Sequence, residues 1–314
     1  MMVKIKGFLL TLATACMFGL GAVLGKMASS VLNPLLVTFL NFAVGGGLLL
    51  IFLLVRRIAL FKRLERRDWL NLLLLVVFGT TLPACCVLYG LALTSAIKAG
   101  FLMQMQGISS VLFAVLFLRE RLNWKQVGGM LLLLLGSLFV VMKTTQTSIL
   151  SAFNLGDILV ILGAIGFGYA ILPAKALTGK IDSLPLTVWK LLISALMILP
   201  FLSLQPTAWP TYLSPFLLWL LPVYIISNFC IGYVTQQEGL KYLQAWESAT
   251  TMQSTPIFST FFAMLLLGDS LSLLQLVGGI IVLAGGCVIA LGGANLSRKS
   301  LTRTSQVAPT GQEI

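Results

Sequence analysis

The chain contains no histidine, and charged residues are scarce. Of its 314 residues only 10% are charged, whereas an ordinary soluble domain is about 25% charged. Hydrophobic residues make up 58% of the chain, and the mean hydropathy is +1.01. A water-soluble globule is therefore excluded, and we expect a polytopic membrane protein.

The sequence also lacks the motifs of disulfide frameworks, metal sites and nucleotide-binding sites. The five cysteines all fall inside apolar runs, so we expect neither a disulfide framework nor a metal site. Gly21–Met27 resembles a phosphate-binding loop, but it is one residue too short between its glycines and lies within an apolar run. Gly21 and Gly25 instead form a small-residue contact. We therefore expect no cofactor, no enzyme and no ATP-driven pump within this chain.

Long apolar runs are the dominant feature. Because a bilayer core needs roughly 20 apolar residues per helix, runs broken at charges, prolines and polar clusters predict an all-α polytopic membrane protein with ten transmembrane helices. The predicted spans are 8–27, 34–55, 69–89, 95–118, 124–142, 155–176, 184–204, 213–235, 244–267 and 272–292.

Basic residues are distributed unequally between alternate loops. One set of loops holds 17 Lys and Arg and the other holds only Lys26, Lys98 and Lys143. The positive-inside rule then predicts that both termini are cytoplasmic. The basic residues lie next to the ends of the predicted spans, where anionic lipid head groups are found. The net charge of +12 therefore does not indicate a nucleic acid partner.

The two halves of the sequence align without a gap at an offset of 149 residues. Matching positions include Phe18-Gly19 with Phe167-Gly168, Gln104 with Gln253, Ser110 with Ser259, and Gly136 with Gly285. Each half contains five predicted spans, an odd number, so the second half crosses the membrane in the opposite sense. We predict two inverted-topology repeats, residues 8–142 and 155–292, followed by a cytoplasmic tail at 293–314. Such repeats are typical of alternating access, with the solute near the midplane.

These repeats resemble those of the EamA family in the drug/metabolite transporter superfamily. The likeness rests on the aromatic-Gly pair in the first helix of each half. It also rests on the pattern Leu91–Ala96, Glu120-Arg121-Leu122 and Gly136, which recurs as Leu240–Ala245, Asp269-Ser270-Leu271 and Gly285. The resemblance implies a ten-helix carrier of small metabolites in a bacterial inner membrane, often an exporter. It leaves the substrate open.

Polar side chains far from span ends are the candidate substrate-binding residues, because buried polar groups in a membrane usually face a cavity or the protein interior. Gln104 and Gln253 are repeat-equivalent, and Trp246, Thr250 and Gln253 lie on one helical stripe that matches a stripe containing Phe101. Interhelical hydrogen bonding is an equally good interpretation of these residues. The candidates are Gln104, Gln253, Phe101, Trp246, Thr250, Asn228, Asn41, Tyr169 and Lys190.

Charged side chains near span ends are candidates for gating or coupling. Lys98 and Glu247 are repeat-equivalent, but inversion places them at opposite mouths. Glu247 is the only acidic residue that we expect inside the membrane, where it would face Lys175 or Lys241, while Lys26 and Lys98 would make a basic outer vestibule. Snorkelling to the interface is the alternative for every lysine. Lys190 is hardest to explain in that way, so we expect it to face the substrate.

Glycines recur every seven residues in spans five and ten. Gly129 and Gly136 have this spacing, as do the pairs that begin at Gly278 and Gly285, so each set lies on one helix face. Either the two spans pack closely within one chain, or they form a homodimer interface.

The leading hypothesis is a secondary transporter that moves small metabolites, such as amino acids or related amphipathic solutes, out of the cell. A drug or organic-cation exporter is the alternative. Cation export favours an acidic cavity, whereas lysines outnumber acids in the predicted spans.

Overall fold

The computed structural model describes residues 2–59, 65–119, 124–141, 153–177, 180–204, 214–240, 242–243, 251–252 and 254–306, and the regular elements in these ranges are helical. The helices are α1 (Met2–Val31), α2 (Pro34–Val55), α3 (Arg66–Leu93), α4a (Ala96–Leu102), α4b (Met105–Leu118), α5 (Trp124–Val141), α6 (Leu155–Leu177), α7 (Ser183–Ser203), α8 (Pro215–Ile225, Ile226–Gly232 and Tyr233–Leu240), α9 (Thr255–Leu267) and α10 (Leu273–Gln306).

Many of these helices are long and apolar enough to cross a membrane. Among the described residues seven helices satisfy both conditions, and Val127–Val140, Thr255–Leu267 and Leu273–Ile289 are shorter apolar helices. Large apolar side chains also point outward, for example Ile51, which is 58% exposed, and Leu116, which is 69% exposed. Because lipid is a better solvent than water for such a surface, the chain is a multi-pass membrane protein.

Two helices differ from their predicted spans. The span predicted at 95–118 is broken at Met103 and Gln104, where the Gln104 N–H donates to Phe101 O at 3.0 Å and the Gly107 N–H donates to Gln104 O at 2.9 Å. These bonds to the third preceding residue replace the α-helical ladder. The last helix continues through the predicted tail as far as Gln306.

The predicted glycine faces of α5 and α10 lie against each other within the chain. A Cβ atom on Gly136 would lie 2.7 Å from Gly278 O, and one on Gly129 would lie 2.7 Å from Gly285 O. The helix backbones therefore touch at both glycine pairs, as the packing interpretation predicts. A homodimer through spans five and ten remains a prediction.

Several helix contacts recur at the 149-residue offset. A Cβ atom on Gly19 of α1 would lie 2.7 Å from Ser259 N in α9, and one on Gly168 of α6 would lie 2.9 Å from Ser110 N in α4b. π-Helical segments begin at Val77 in α3 and at Ile226 in α8. The first and third helices of each half thus keep matching geometry.

Candidate functional site

A buried polar cluster lies between α2 and α8. Asn41 of α2 is only 2% exposed, and the buried hydroxyl of Tyr224 in α8 faces the side chains of Asn41 and Asn228. Within the described ranges, the Asn41 Oδ1 atom has no hydrogen-bond partner. Because an unsatisfied polar atom inside a membrane protein costs free energy, this oxygen is suited to accept a hydrogen bond from a bound solute.

Two glycines of α1 make room for this cluster. A Cβ atom on Gly21 would lie 2.8 Å from Asn228 Cγ, and one on Gly25 would lie 2.9 Å from the Tyr224 hydroxyl oxygen. The predicted small-residue pair therefore contacts polar side chains of α8. Asn228 itself lies in the π-helical segment Ile226–Gly232, and such segments occur frequently at functional sites.

Aromatic rings connect these polar groups to Lys190 of α7. The ring centroids of Tyr224 and Phe229 are 6.5 Å apart, and those of Phe229 and Tyr233 are 5.9 Å apart with the ring planes stacked. The Lys190 Nζ atom lies 5.2 Å from the centroid of the Tyr233 ring. Tyr224 and Tyr233 are separated by roughly 13 Å along α8, at 1.5 Å of rise per residue, so these contacts extend across much of the helix.

Lys190 and Asn41 occupy repeat-equivalent positions, 149 residues apart, on two helices that pack together. At the contact between α2 and α7, a Cβ atom on Gly46 would lie 3.2 Å from Leu191 Cβ. Lys190 is half-buried, and no acidic residue of the described part of the chain forms an ion pair with it. We refer to the following residues as the central cluster: Asn41, Lys190, Tyr224, Asn228, Phe229 and Tyr233.

Tyr169 lies apart from the central cluster. Its ring packs edge-on against Phe78 of α3, with the centroids 6.3 Å apart, and against Phe113 of α4b, with the centroids 5.6 Å apart. These contacts join α6 to α3 and α4b, so Tyr169 lies in a packing interface.

Gln104 lies at the break between α4a and α4b, and Phe101 lies in α4a just before it. Gln104 is half-buried beside the break, and interrupted helices commonly form solute sites in transporters. The Phe101 ring is buried and lies 2.7 Å from where a Cβ atom on Gly279 would be. Phe101 therefore packs against α10 instead of facing the central cluster.

Four further candidates, Gln253, Trp246, Thr250 and Glu247, lie outside the described residues. The Ser254 N–H donates to Thr251 O at 3.1 Å, a bond to the third preceding residue like the bonds between α4a and α4b.

A buried ion pair joins Lys98 to a residue that the sequence argument missed. The Nζ atom of Lys98 is 3.3 Å from Oδ2 of Asp157, which is fully buried. Asp157 also accepts a hydrogen bond from the Thr94 hydroxyl and one from the Asn154 backbone N–H at 3.1 Å. The expectation that Glu247 is the only membrane-embedded acid is therefore wrong.

Lys26 lies near the same end of α3. Its ammonium donates to Ala92 O at 3.1 Å and interacts electrostatically with Asp269. Because Lys26 and Lys98 each have an acidic neighbour, they do not form the expected basic vestibule. Lys175 of α6 is exposed and also has a polar or charged interaction.

A second ion pair joins α3 to the segment after α6, at the opposite end of the two helices. Lys180 Nζ is 2.5 Å from Oδ1 of Asp68, whose side chain is 3% exposed. This hydrogen bond raises the pKa of Lys180 above its ordinary value, so the pair stays charged at neutral pH. The two ion pairs thus tie the first half of the chain to both ends of α6: Lys98 of α4a to its start and Asp68 of α3 to the segment after it.

The sequence around Asp157 and Asp68 predicts that each lies at a helix N-terminus, but it does not predict their lysine partners. Asp157 follows Asn154, and Asp68 follows Glu65, at the spacing of a capping box, and in each case the backbone N–H of the first residue donates to the aspartate. This spacing locates a helix N-terminus. The lysine partners lie 59 and 112 residues away, so local sequence does not reveal them.

The sequence also matches known families and structures. The model of the EamA-like transporter family matches residues 5–142 and again residues 154–291, ranges displaced by the same 149 residues at both bounds. An uncharacterized inner membrane transporter, YhbE of Escherichia coli, is 26% identical over 306 residues, which cover 91% of each chain. An uncharacterized transporter of Methanothermobacter thermautotrophicus is 23% identical over 297 residues, which cover 90% of this chain and 85% of that protein.

One solved structure aligns along most of the chain. Its TM-score is 0.66 at 17% sequence identity, and the alignment covers 91% of this chain and 97% of that one. This likeness concerns the fold.

Proposed function

The chain belongs to the EamA-like transporter family, and we propose that it moves small metabolites across the cytoplasmic membrane by alternating access. The solutes are amino acids or related amphipathic molecules, and the direction is export. As a secondary transporter it uses no ATP. Two similar proteins are named as uncharacterized transporters, and transport is the activity that we propose for this chain.

Helix lengths and repeated contacts support a ten-span inverted repeat. The seven long apolar helices and the three shorter ones overlap the ten predicted spans. The glycine contacts of α1 with α9 recur between α6 and α4b, and the family model matches each half once. The charges of the loops place both termini of this arrangement in the cytoplasm. Because the halves are inverted copies, they can exchange conformations, and the protein then opens to one side of the membrane or to the other.

The central cluster is the single observation that carries the solute site. Asn41, Asn228 and Lys190 come from three different predicted spans, yet one series of aromatic contacts on α8 connects them. Polar groups at the two ends and aromatic surface between them suit an amphipathic solute. Gln104, at the break in α4, is a further candidate for this site.

The ion pairs between the halves are the proposed gate elements. Lys98 and Asp157 belong to different repeats and meet at the predicted outer end of α3 and α6. Asp68 and Lys180 meet at the predicted cytoplasmic end. Ion pairs between elements of the two halves are contacts that can form in one state and break in the other, as a two-state opening requires. Glu247 with Lys175 remains a candidate pair at the cytoplasmic mouth.

A transport screen tests the proposal. Purified protein in liposomes is assayed for uptake of amino acids, organic anions and quaternary amines, with and without an imposed pH gradient. We expect uptake of an amino acid or a related amphipathic acid, and a loss of that uptake in Asn228→Leu. The matched control is Asn71→Leu, a change of the same type at a half-buried residue of α3 outside the cluster. Exclusive uptake of quaternary amines would support the organic-cation alternative.

A further inference from the structure

We infer that the outer half of α3 and the cytoplasmic half of α8 are the two moving gates of the transporter. Gly90 of α3 closes on Gly156 of α6 at the predicted outer end. Gly239 of α8 closes on Gly7 of α1 at the predicted cytoplasmic end. The inference rests on the proposed function, because it assigns the alternating openings of that transporter to two named crossings of helices.

The outer crossing is a contact between helix backbones. A Cβ atom on Gly90 would lie 2.8 Å from Gly156 O, and one on Gly156 would lie 2.8 Å from Gly90 O. The Cγ2 atom of Val160, one turn further along α6, lies 2.7 Å from where the Cβ atom on Gly90 would be, and Val160 is fully buried. Because even a methyl group does not fit, this crossing leaves no room for water or solute.

The cytoplasmic crossing is built from the repeat-equivalents of the same residues. They are Gly239, Gly7 and Thr11, which stand 149 positions from Gly90, Gly156 and Val160. A Cβ atom on Gly239 would lie 2.6 Å from the Thr11 hydroxyl oxygen and 3.4 Å from Gly7 O, and Thr11 is fully buried. Both crossings are therefore closed in this structure, and the cytoplasmic backbones are slightly further apart.

The repeat symmetry separates contacts that can alternate from contacts that cannot. In the α5–α10 interface, the contact of Gly136 with Gly278 corresponds to the contact of Gly285 with Gly129. This interface maps onto itself, so it stays the same when the two halves exchange conformations. The two crossings instead map onto each other at opposite ends of the protein. One crossing can therefore be open while the other is closed, and the exchange reverses the two, as alternating access requires.

Each gate follows a bending point in its own helix. The π-helical segments Val77–Thr81 of α3 and Ile226–Gly232 of α8 begin at repeat-equivalent positions. Gly90 and Gly239 lie beyond these segments, toward the ends of their helices. A π segment interrupts the regular hydrogen-bond ladder, and it is one of the few places where a helix bends sharply. Bending there moves the rest of α3 away from α6, or the rest of α8 away from α1.

The two gates differ in their surroundings. Beside the outer crossing, Asp157 pairs with Lys98 and accepts a hydrogen bond from the Thr94 hydroxyl. The positions equivalent to Asp157 and Thr94 at the cytoplasmic crossing are Phe8 and Leu243. The Cγ atom of Leu243 lies 2.9 Å from where a Cβ atom on the glycine of α1 would be. The same crossing is thus reinforced by charge at the outer end and by apolar side chains at the cytoplasmic end.

Thiol accessibility tests the two gates without a known solute. Val160→Cys and Thr11→Cys each place a small thiol in one crossing, at a position that is fully buried. We expect a membrane-impermeant methanethiosulfonate reagent to modify Val160→Cys only from outside and Thr11→Cys only from the cytoplasmic side, because each thiol reacts only when its gate opens. Right-side-out and inside-out vesicles present the two faces. Mass spectrometry of each modified peptide distinguishes the new thiol from the five native cysteines.

Val140→Cys is the matched control for labelling. Val140 is also fully buried, and its backbone nitrogen lies 2.8 Å from where a Cβ atom on Gly278 would be. It belongs to the α5–α10 interface, which maps onto itself. We therefore expect no modification of this thiol from either side.

Reversible disulfides test whether transport needs each gate to open. A Cβ atom on Gly156 would lie 2.8 Å from Leu93 Cβ, and one on Gly7 would lie 2.8 Å from Tyr242 Cβ. A disulfide joins Cβ atoms about 3.5–4.5 Å apart, so a small separation of the helices admits one. Oxidation of Leu93→Cys/Gly156→Cys, or of Gly7→Cys/Tyr242→Cys, should abolish counterflow of labelled phenylalanine in proteoliposomes, and reduction should restore it.

Phe139→Cys/Gly278→Cys is the matched control for the disulfides. A Cβ atom on Gly278 would lie 2.7 Å from Phe139 Cβ, so the two positions have nearly the same separation, but they lie in the α5–α10 interface. Oxidation of this variant, like oxidation of the parent protein, should leave counterflow unchanged. The labelling test replaces no glycine, so it decides the question where a double variant does not fold.

The outcomes separate this inference from the proposed function. If Val160→Cys and Thr11→Cys stay unreactive from both sides, the crossings are fixed packing contacts and the inference is overturned, while counterflow by the parent protein would keep the proposed transport. Counterflow that continues in a cross-linked gate variant overturns it as well. If the two thiols react from opposite faces but phenylalanine shows no counterflow, the gates stand and the proposed amino-acid substrates are contradicted.

Discussion

Lys98 and Asp157 form a buried ion pair that joins the first half of the chain to the second, with Nζ and Oδ2 3.3 Å apart. Lys98 is in the first turn of α4a and Asp157 is in the first turn of α6. The Thr94 hydroxyl donates to the second carboxylate oxygen. The start of α6 is thereby fixed to the turn between α3 and α4a.

Breaking this pair from one side should be more harmful than removing both charges. Asp157→Asn removes the Asp157 carboxylate charge from beside the buried Lys98 ammonium, and we expect a loss of about 3–5 kcal/mol of stability. Lys98→Met should have a similar effect, whereas the double variant should lose less than the sum of the two. Thermal unfolding of the four proteins in detergent gives the coupling energy. Additive losses would show that the pair does not act as a unit.

The α5–α10 contact predicts a contrast between two glycines of α5. A Cβ atom on Gly136 would lie 2.7 Å from backbone atoms of α10, whereas one on Gly128 meets nothing within 4 Å. Gly136→Ala should therefore cost about 1–3 kcal/mol through overpacking, and Gly128→Ala should be neutral or stabilise the helix by up to about 1 kcal/mol. Equal melting temperatures for the two variants would contradict the observed packing.

The glycines of α1 should affect transport more than stability. In Gly21→Ala the new methyl group would displace the Asn228 amide, a movable side-chain end, so the fold can adjust while the polar cluster is narrowed. We expect transport to fall several-fold with the melting temperature nearly unchanged. Gly47→Ala in α2, whose Cβ atom would meet nothing within 4 Å, is the matched control. Unchanged transport in Gly21→Ala would place the solute elsewhere.

The predicted topology is testable with reporter fusions. Fusions after residues 60, 121, 180 and 300 should report the cytoplasm, because the loops with most Lys and Arg stay there. Fusions near residues 148, 208 and 270 should report the outside. Termini on opposite sides of the membrane would remove the inverted repeat and the alternating-access argument together.

The sequence predicts those features that depend on residue type at a fixed spacing. Hydropathy locates the helices, and the seven-residue glycine spacing marks the close-packing faces of α5 and α10, although it leaves open whether the contact is within one chain or between two. Asn41, Asn228 and Lys190 stand out as polar residues far from span ends, and the structure connects all three. Each of these features can be recognised from the sequence of one helix alone.

The features that the sequence does not reveal depend on contacts between distant segments. In the sequence Asp157 resembles an ordinary capping residue in the first turn of a helix. It is buried because Thr94 and Lys98, which lie on other elements, pack against its carboxylate. Tyr224 resembles an apolar or interfacial aromatic residue until Asn41 and Asn228 are placed around its hydroxyl. The break at Met103 and the π segments have no distinctive residue pattern, because backbone hydrogen bonds define them.

The central claim is secondary transport of a solute that binds the central cluster, and counterflow tests it most directly. Liposomes that contain the protein are loaded with an unlabelled amphipathic amino acid and diluted into a trace of the labelled solute, with no ATP and no ion gradient. The account predicts a transient accumulation of label above equilibrium, which is absent from protein-free liposomes and strongly reduced in the Lys190→Gln variant. Label that only equilibrates, or that enters Lys190→Gln liposomes as it enters those with the parent protein, would contradict it.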